Sequence, residues 1–384
     1  MKNIYLLGAT GSIGSQTIEI IENHPEQFNL KAISGHSNLE KVIEIASRFP
    51  LDLIAVKDEI DALTIKNVFP NVKIVYGEDG LIELAKVNPD DKESFLVNAL
   101  VGMVGLKPTL AAVEIDRNVL LANKETLVVG GHLIKKALKD HPVQILPIDS
   151  EHNAIWQILN GEDKDKIHKL IITASGGPFR DYTRKQLELV DLKQALNHPN
   201  WSMGKKITID SATMMNKGFE IIEAAYLYDI DIDKIEALIH RESIIHSLVE
   251  FVDGSVIAQM ANPDMRLPIS YALFYPGRVA SPVKPLCLSS IGKLSFEKVD
   301  SEKFPLLGLA IDAYKQGGSK RTVLNAANEA AVKLFLNEKI KFLDIEKIIT
   351  SEVENHVLIP EPTLDEIYKI DKSVKEKIFT EYDK

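Results

Sequence analysis

The chemistry-bearing stretch of this chain is Asp149, Ser150, Glu151 and His152, set between the apolar run "QILPI" and the apolar Ala154, Ile155 and Trp156. Two carboxylates two residues apart offer hard oxygen donors to one divalent cation such as magnesium or manganese. That kind of cation takes several oxygens, so a third acid is wanted. Glu220 in "MMNKGFEIIEAA" is the candidate. A plainer use of the same residues is equally available locally. Asp149 and Ser150 can cap a helix over 152–160, Glu151 can complement its dipole, and Glu220 can be an ordinary acid of a first helical turn.

Two further clusters suit an anion. "TASGGPF" brings Ser175, Gly176 and Gly177 to the end of an apolar run, a turn rich in accessible backbone N–H. "DSATMMNKG" adds Ser211, Asn216 and Lys217. Beside a metal site, two such clusters point to a small phosphorylated substrate. The stretch "LNHPNWSMGKK" between them carries His198, Trp201, Met203 and Gly204. An isolated tryptophan in a Pro- and Gly-containing polar segment reads as a lid whose indole covers a ligand. The alternative is that Trp201 anchors the segment to a core.

Near the N-terminus, "LLGATGSIGSQT" places Gly8, Gly11 and Gly14 between a first strand and a first helix. A glycine turn there lets backbone N–H groups and a helix N-terminus approach a diphosphate. An acid about 20 residues further on would bind a free ribose 2′-hydroxyl. Here the second strand runs instead into Ser34, Gly35, His36, Ser37 and Asn38, with no acid before Glu40. Hydrogen-bond donors in place of an acid favour NADP over NAD, although the usual arginine is also missing.

The elements that must position these residues follow from the apolar pattern. Strands are expected at 4–8, 29–34, 52–56, 72–76, 94–100, 118–122 and 143–148, with amphipathic helical segments between them. Such alternation, with nearly continuous apolar strands, predicts an α/β fold: a Rossmann-like, doubly wound parallel sheet over residues 1–148. From 149 to 275 helices mix with strands such as "KLIITAS", "IEALIH", "HSLVEFV" and "SVIAQM", which predicts an α+β catalytic domain. Residues 276–304 form a Pro-, Gly- and Ser-rich connector. Residues 305–384 are expected to form a helical bundle, in which Val323, Ala327, Ala330 and Leu334 recur at helical spacing.

Composition removes several function classes. A chain of 384 residues with a formal net charge of −10 and no long run of one sign is a poor binder of nucleic acid or anionic membrane. The single Cys287 excludes an internal disulfide and a thiolate metal cluster. No apolar stretch approaches the roughly 20 residues of a membrane span, and a cytoplasmic location is expected. Two rivals remain: a metal-free two-domain dehydrogenase of a phosphorylated or amino-acid aldehyde, and a regulatory module that senses NADP without turnover.

Taken together, "GATGSIGSQT", "NALVGMVGL", "LANKE", "IDSEHNAIWQ", "TASGGPF", "NHPNWSMGKKITIDSATMMNKG" with its following glutamate, and "LNAANE" resemble the 1-deoxy-D-xylulose 5-phosphate reductoisomerase family, in order from residue 8 to 329. The resemblance implies NADPH and one divalent cation as cofactors, a phosphorylated sugar as substrate, and a homodimer. It places the metal ligands on Asp149, Glu151 and Glu220. Substrate contacts fall on Lys124, Ser150, Glu151, Ser175, His198, Trp201, Ser211, Asn216, Lys217 and Glu220, with Lys124 also organising the catalytic centre. Cofactor contacts fall on Thr10, Gly11, Ser12, Ile13, Gly35, His36, Ser37, Asn38, Asn123, Glu125 and Gly204. His36 departs from the family, which commonly has lysine or arginine there.

Overall fold

The computed structural model describes residues 1–91 and 93–382. They divide into two compact units, the first made of residues 1–126, 134–153 and 264–283, the second of 127–133, 154–263 and 284–384.

The first unit is built on seven parallel strands: β1 (Lys2–Leu7), β2 (Phe28–Ser34), β3 (Leu53–Val56), β4 (Lys73–Tyr76), β5 (Ser94–Asn98), β6 (Asn118–Leu121) and β7 (Ile145–Pro147), in the order β4-β3-β2-β1-β5-β6-β7. Ile4, Leu6, Leu53, Ile54, Leu96, Val97, Val119 and Leu120 are all wholly buried. A strand covered on both faces must be apolar on both, which explains the unbroken runs. The order reverses between β1 and β5. A crevice opens at such a switch point, at the carboxyl ends of the strands. Gly8, Lys124 and Asp149 all follow strand ends on that one edge.

Residues 264–283 return to this unit, although their sequence places them in the middle region and connector. The helix Arg266–Phe274 packs on the helix Ser12–Asn23. Arg266 pairs with Glu19 at 2.9 Å, and Lys2 donates to the Leu273 carbonyl at 2.9 Å. Long-range contacts hold the segment there: Pro268 O accepts from Asn153, and the apolar Ile269 and Leu273 have no exposure.

The second unit holds a mixed sheet of β8 (Ile167–Ala174), β9 (Ile235–Ile239), β10 (Ile245–Phe251), β11 (Val256–Met260) and β12 (Glu297–Lys298), ordered β11-β10-β8-β9-β12. β8 and β9 are parallel and the other pairs antiparallel. The helix Met215–Tyr228 lies on β9 and on the helix Pro305–Gln316. Helices Lys320–Leu336, Phe342–Asn355 and Leu364–Tyr382 pack together, with Ala326, Ala327, Ala330 and Ala331 at zero exposure. Small side chains let helix axes approach closely. Asn328 on this bundle donates to Asp210 at 2.8 Å and so steadies the helix Lys205–Ala212, which carries Ser211.

Two buried asparagines shape the functional edge of the first unit. Asn98 donates to Gly105 O at 3.0 Å and to Thr109 Oγ1 at 2.9 Å. Asn123 donates to Leu100 O at 3.0 Å and Gly102 O at 2.9 Å while its oxygen accepts Thr126 N–H at 3.2 Å. It therefore caps the helix Lys124–Ala137 and ties it to the loop after β5. Asn123→Ala removes the cap and orphans the buried Gly102 carbonyl and the half-buried Leu100 carbonyl. The expected loss is about 2–4 kcal/mol of unfolding free energy, read from the urea midpoint at unchanged slope.

Candidate active site

In the first unit, register explains why a lysine and an aspartate meet. Leu121 at the end of β6 stands opposite Pro147 at the end of β7. Lys124 opens the helix after β6, and Asp149 closes the link after β7. Their side chains form an ion pair at 2.5 Å, with only 8% and 13% of the side chains exposed. Asp149 also occupies the helix cap position, its carbonyl accepting Asn153 N–H at 2.8 Å. The capping and functional readings thus use different atoms: the backbone starts the helix, and the carboxylate faces Lys124. Ser150 donates to Glu151 at 2.6 Å, which orients the second acid. Glu151 lies in the first turn of the helix Ser150–Ile158, where the macrodipole favours a negative charge.

Glu220 belongs to the second unit. It is the sixth residue of the helix Met215–Tyr228, whose first turn holds no acid, so the first-turn reading does not apply. It is almost fully buried and accepts hydrogen bonds from Asn216 and Lys217, one and nearly one turn behind. Lys217 also donates to Thr173 O at 2.5 Å, linking the helix to the end of β8. A buried carboxylate survives because a cation and an amide satisfy it.

The two anion clusters are neighbours within the second unit. A Cβ on Gly177 would lie 2.7 Å from Ser211 O, and Gly177 has φ +67°. Only glycine admits both the turn and that approach, so the turn after Ser175 lies against the backbone of Ser211. Lys217 joins them through Thr173. Ser175 Oγ accepts Gly177 N–H at 3.1 Å, and its carbonyl accepts from Arg180 at 3.1 Å.

The segment 196–204 is pinned at three points. His198 Nδ1 accepts the N–H groups of Asn200 at 3.2 Å and Trp201 at 3.0 Å. The proton is therefore on Nε2, which donates to Ser175 Oγ at 2.9 Å. Asn200 Nδ2 donates to Arg241 O at 2.7 Å and Ser243 Oγ at 2.6 Å. Arg241 is itself held by Asp181 at 2.8 Å and by Glu297. The Trp201 indole stands 6.2 Å from the His246 ring at 52°. Trp201 is half-buried, so its ring is neither sunk in a core nor fully free of the surface. Gly204 caps the helix Lys205–Ala212 through its carbonyl.

The cofactor candidates gather in the first unit, except Gly204. Gly8 turns the chain at φ +81°, and no side chain caps the helix Ser12–Asn23 after Gly11. Thr10, Gly11, Ser12 and Ile13 form that uncapped start, a setting that favours an anion. Gly35 is buried at the end of β2, while His36, Ser37 and Asn38 are exposed. Asn123 and Glu125 are buried, and the Asn123 side chain is committed to its capping bonds. Sequence reasoning overlooked Arg180, Asn200, His246 and Lys41. Each stands inside or just beyond a motif, but only contacts across the fold single it out.

A doubly wound sheet with an uncapped glycine turn and a lysine–carboxylate pair on one edge defines a dinucleotide-linked oxidoreductase. Family models place it more narrowly: 1-deoxy-D-xylulose 5-phosphate reductoisomerase matches residues 4–131, its C-terminal domain 145–228, and a DXP reductoisomerase C-terminal domain 260–377. The chain belongs to the 1-deoxy-D-xylulose 5-phosphate reductoisomerase family. It is 51% identical over 376 residues to 1-deoxy-D-xylulose 5-phosphate reductoisomerase 2 of Bacillus anthracis, covering 98% of each chain. It is 50% identical over 380 residues to the Shouchella clausii enzyme, covering 98% of this chain and 100% of the other. Among solved structures, a DOX-P reductoisomerase in complex with NADPH, fosmidomycin and magnesium matches with TM-score 0.93 and 40% identity, covering 100% of this chain and 98% of that one. The Zymomonas mobilis enzyme in complex with NADPH matches with TM-score 0.91 and 38% identity, over 99% and 98%.

Burial, and secondarily the charge of Arg180, push the His198 pKa from 6.5 down to about 4. A histidine depressed in the fold stabilises it only while neutral. Its contribution is whole above the ordinary value of 6.5 and is lost as pH falls from there towards about 4. Between about pH 7 and pH 5 the thermal midpoint of the parent chain is expected to fall more than that of His198→Gln, which cannot titrate. Differential scanning fluorimetry at matched ionic strength checks this.

Proposed function

We propose that the chain is an NADPH-dependent reductoisomerase. It converts 1-deoxy-D-xylulose 5-phosphate, NADPH and a proton into 2-C-methyl-D-erythritol 4-phosphate and NADP⁺, in the non-mevalonate route to isoprenoid precursors. A skeletal rearrangement gives an aldehyde, and hydride reduction completes the reaction. The observation that carries the reading is the Lys124–Asp149 pair beside Glu151, on the same sheet edge as the glycine turn.

The residues fit both cofactors. Asp149, Glu151 and Glu220 supply carboxylate oxygens only, the donors magnesium or manganese prefers. The uncapped helix after Gly11 suits the NADPH diphosphate, with Thr10, Ser12, Ile13, Gly35, His36, Ser37, Asn38, Asn123, Glu125 and Gly204 as the remaining contacts. When bound, the cation supplies charge for polarising substrate oxygens and NADPH supplies the hydride.

The chain's own side chains do the rest. Ser175, Ser211, Asn216 and Lys217, with His198 beside them, hold the substrate phosphate. That binding energy is remote from the reacting carbons and is available for positioning. Ser150 and Glu151 orient a substrate hydroxyl. Lys124 lies close enough to Asp149 to stabilise negative charge developing on a neighbouring oxygen. Trp201 and the segment around it exclude water from the aldehyde.

In function, residues 1–148 chiefly serve the cofactor and 149–275 the metal and substrate, although 264–283 fold with the first unit. Residues 276–304 connect to the helical region 305–384. Among the described residues no helix is long and apolar enough to cross a membrane. We place the protein in the cytoplasm as a homodimer. The edge strand β11, with Val256 and Ile257 exposed, offers an open strand edge for a second copy.

Oxidation of NADPH with 1-deoxy-D-xylulose 5-phosphate tests the reading against a metal-free dehydrogenase. Turnover is expected to vanish in EDTA and return with magnesium or manganese. Glu220→Gln is expected to cut kcat by roughly 10²-fold or more while NADPH binding persists. Metal-independent turnover, or full activity in that variant, defeats the assignment.

A further inference from the structure

The extra phosphate that separates NADPH from NADH lacks an obvious partner in this chain. Dinucleotide folds bind a 2′-hydroxyl with an acid after the second strand, or accommodate a 2′-phosphate with a nearby arginine. After β2 the chain offers neither: Gly35, His36, Ser37 and Asn38 come first. The Asn38 side-chain oxygen is engaged locally, accepting Lys41 N–H at 3.0 Å to cap the helix Leu39–Ala46, and its amide carries no charge to set against a phosphate.

Lys41 supplies what is missing. It is the third residue of that helix, and its half-buried side chain reaches back to the glycine turn. Its ammonium donates to Ser15 Oγ at 2.6 Å and to Thr10 O at 3.3 Å. The end of β2 meets the same turn: a Cβ on Gly35 would lie 3.4 Å from Thr10 Cγ2. Both oxygens that receive the ammonium are neutral, and no carboxylate pairs with Lys41 among the described residues. The nearest acid in sequence, Glu40, is exposed. A cation is thus held by neutral groups beside the point where β2 and the glycine turn touch. The N–H groups at the start of the helix Leu39–Ala46 add positive potential there.

We propose that Lys41 is the residue that selects NADPH over NADH, by pairing with the ribose 2′-phosphate, and that His36 is secondary. This rests on the nucleotide-site reading above. Lysine serves a phosphate as a compact point charge with three donors on a flexible stem. The exposed position of His36 weakens its contribution, since solvent screens an exposed charge more than a half-buried one.

The test is equilibrium binding to the full chain, by quenching of protein fluorescence and by calorimetry, independent of turnover. The probes are NADPH, NADH, 2′,5′-ADP and 5′-AMP. Lys41→Ala is expected to raise the Kd for NADPH and 2′,5′-ADP roughly ten-fold or more, with NADH and 5′-AMP within about twofold of the parent. Lys41→Arg should keep NADPH binding near the parent value, and His36→Ala should shift it by less than about threefold. Equal weakening of NADPH and NADH in Lys41→Ala would assign Lys41 to the shape of the turn and overturn the proposal. A larger loss of preference in His36→Ala would overturn it too. A parent chain that binds neither dinucleotide would remove the nucleotide site itself, an outcome separable from a parent that binds but ignores Lys41.

Discussion

Burying a carboxylate is costly unless a cation stands beside it, and that constraint organises the chemistry of this chain. Asp149 meets it with Lys124 and Glu220 with Lys217, each pair largely removed from solvent. The pairs hold the two carboxylates in fixed orientations, as a set of oxygen donors requires. Each lysine also does a second job. Lys124 begins the helix that Asn123 caps, and Lys217 ties its helix to the end of β8. Local secondary structure, charge balance and the candidate ligand set therefore stand or fall together within each unit.

The surroundings of Ser175 rest on hydrogen bonds that close on themselves. Ser175 receives Arg180 on its carbonyl and His198 on its hydroxyl; His198 gathers the N–H groups of Asn200 and Trp201; Asn200 reaches Arg241; and Arg241 returns through Asp181 to Arg180. The salt bridges on the outer part of this ring are exposed and individually weak. The inner part uses an imidazole that burial keeps neutral and whose tautomer is set by the two N–H groups its Nδ1 accepts. A segment held this way has a defined resting position and only a few bonds to break on moving. That combination suits a cover over a phosphorylated ligand.

Much of this architecture was legible in the residues. All seven strands of the first sheet were anticipated to within a few residues, the inner ones because strands buried on both faces leave unbroken apolar runs, and the more exposed edge strand β4 by its short Ile-Val-Tyr run. The four longer strands of the second sheet were equally plain. The two-residue β12 was not, since a strand so short carries no period. The family motifs located Asp149, Glu151, Glu220 and the serine clusters. They did so by residue type and order, without saying which side chain faces which. Local residues alone left Asp149 between cap and ligand, and Glu220 between an ordinary first-turn acid and a ligand.

By itself the sequence determined the fold class, the glycine turn, the oxygen-only donor set and the absence of an acid after β2. These follow from residue type and short-range spacing, where a chain's physics is one-dimensional. Only the tertiary structure decided that Lys124 and Asp149 pair, because that depends on β6 lying beside β7 in register. It alone returned residues 264–283 to the first unit, fixed the tautomer of His198 and brought Lys41 back to the glycine turn. Each of these depends on a contact between residues distant in the chain, and no local pattern encodes the partner.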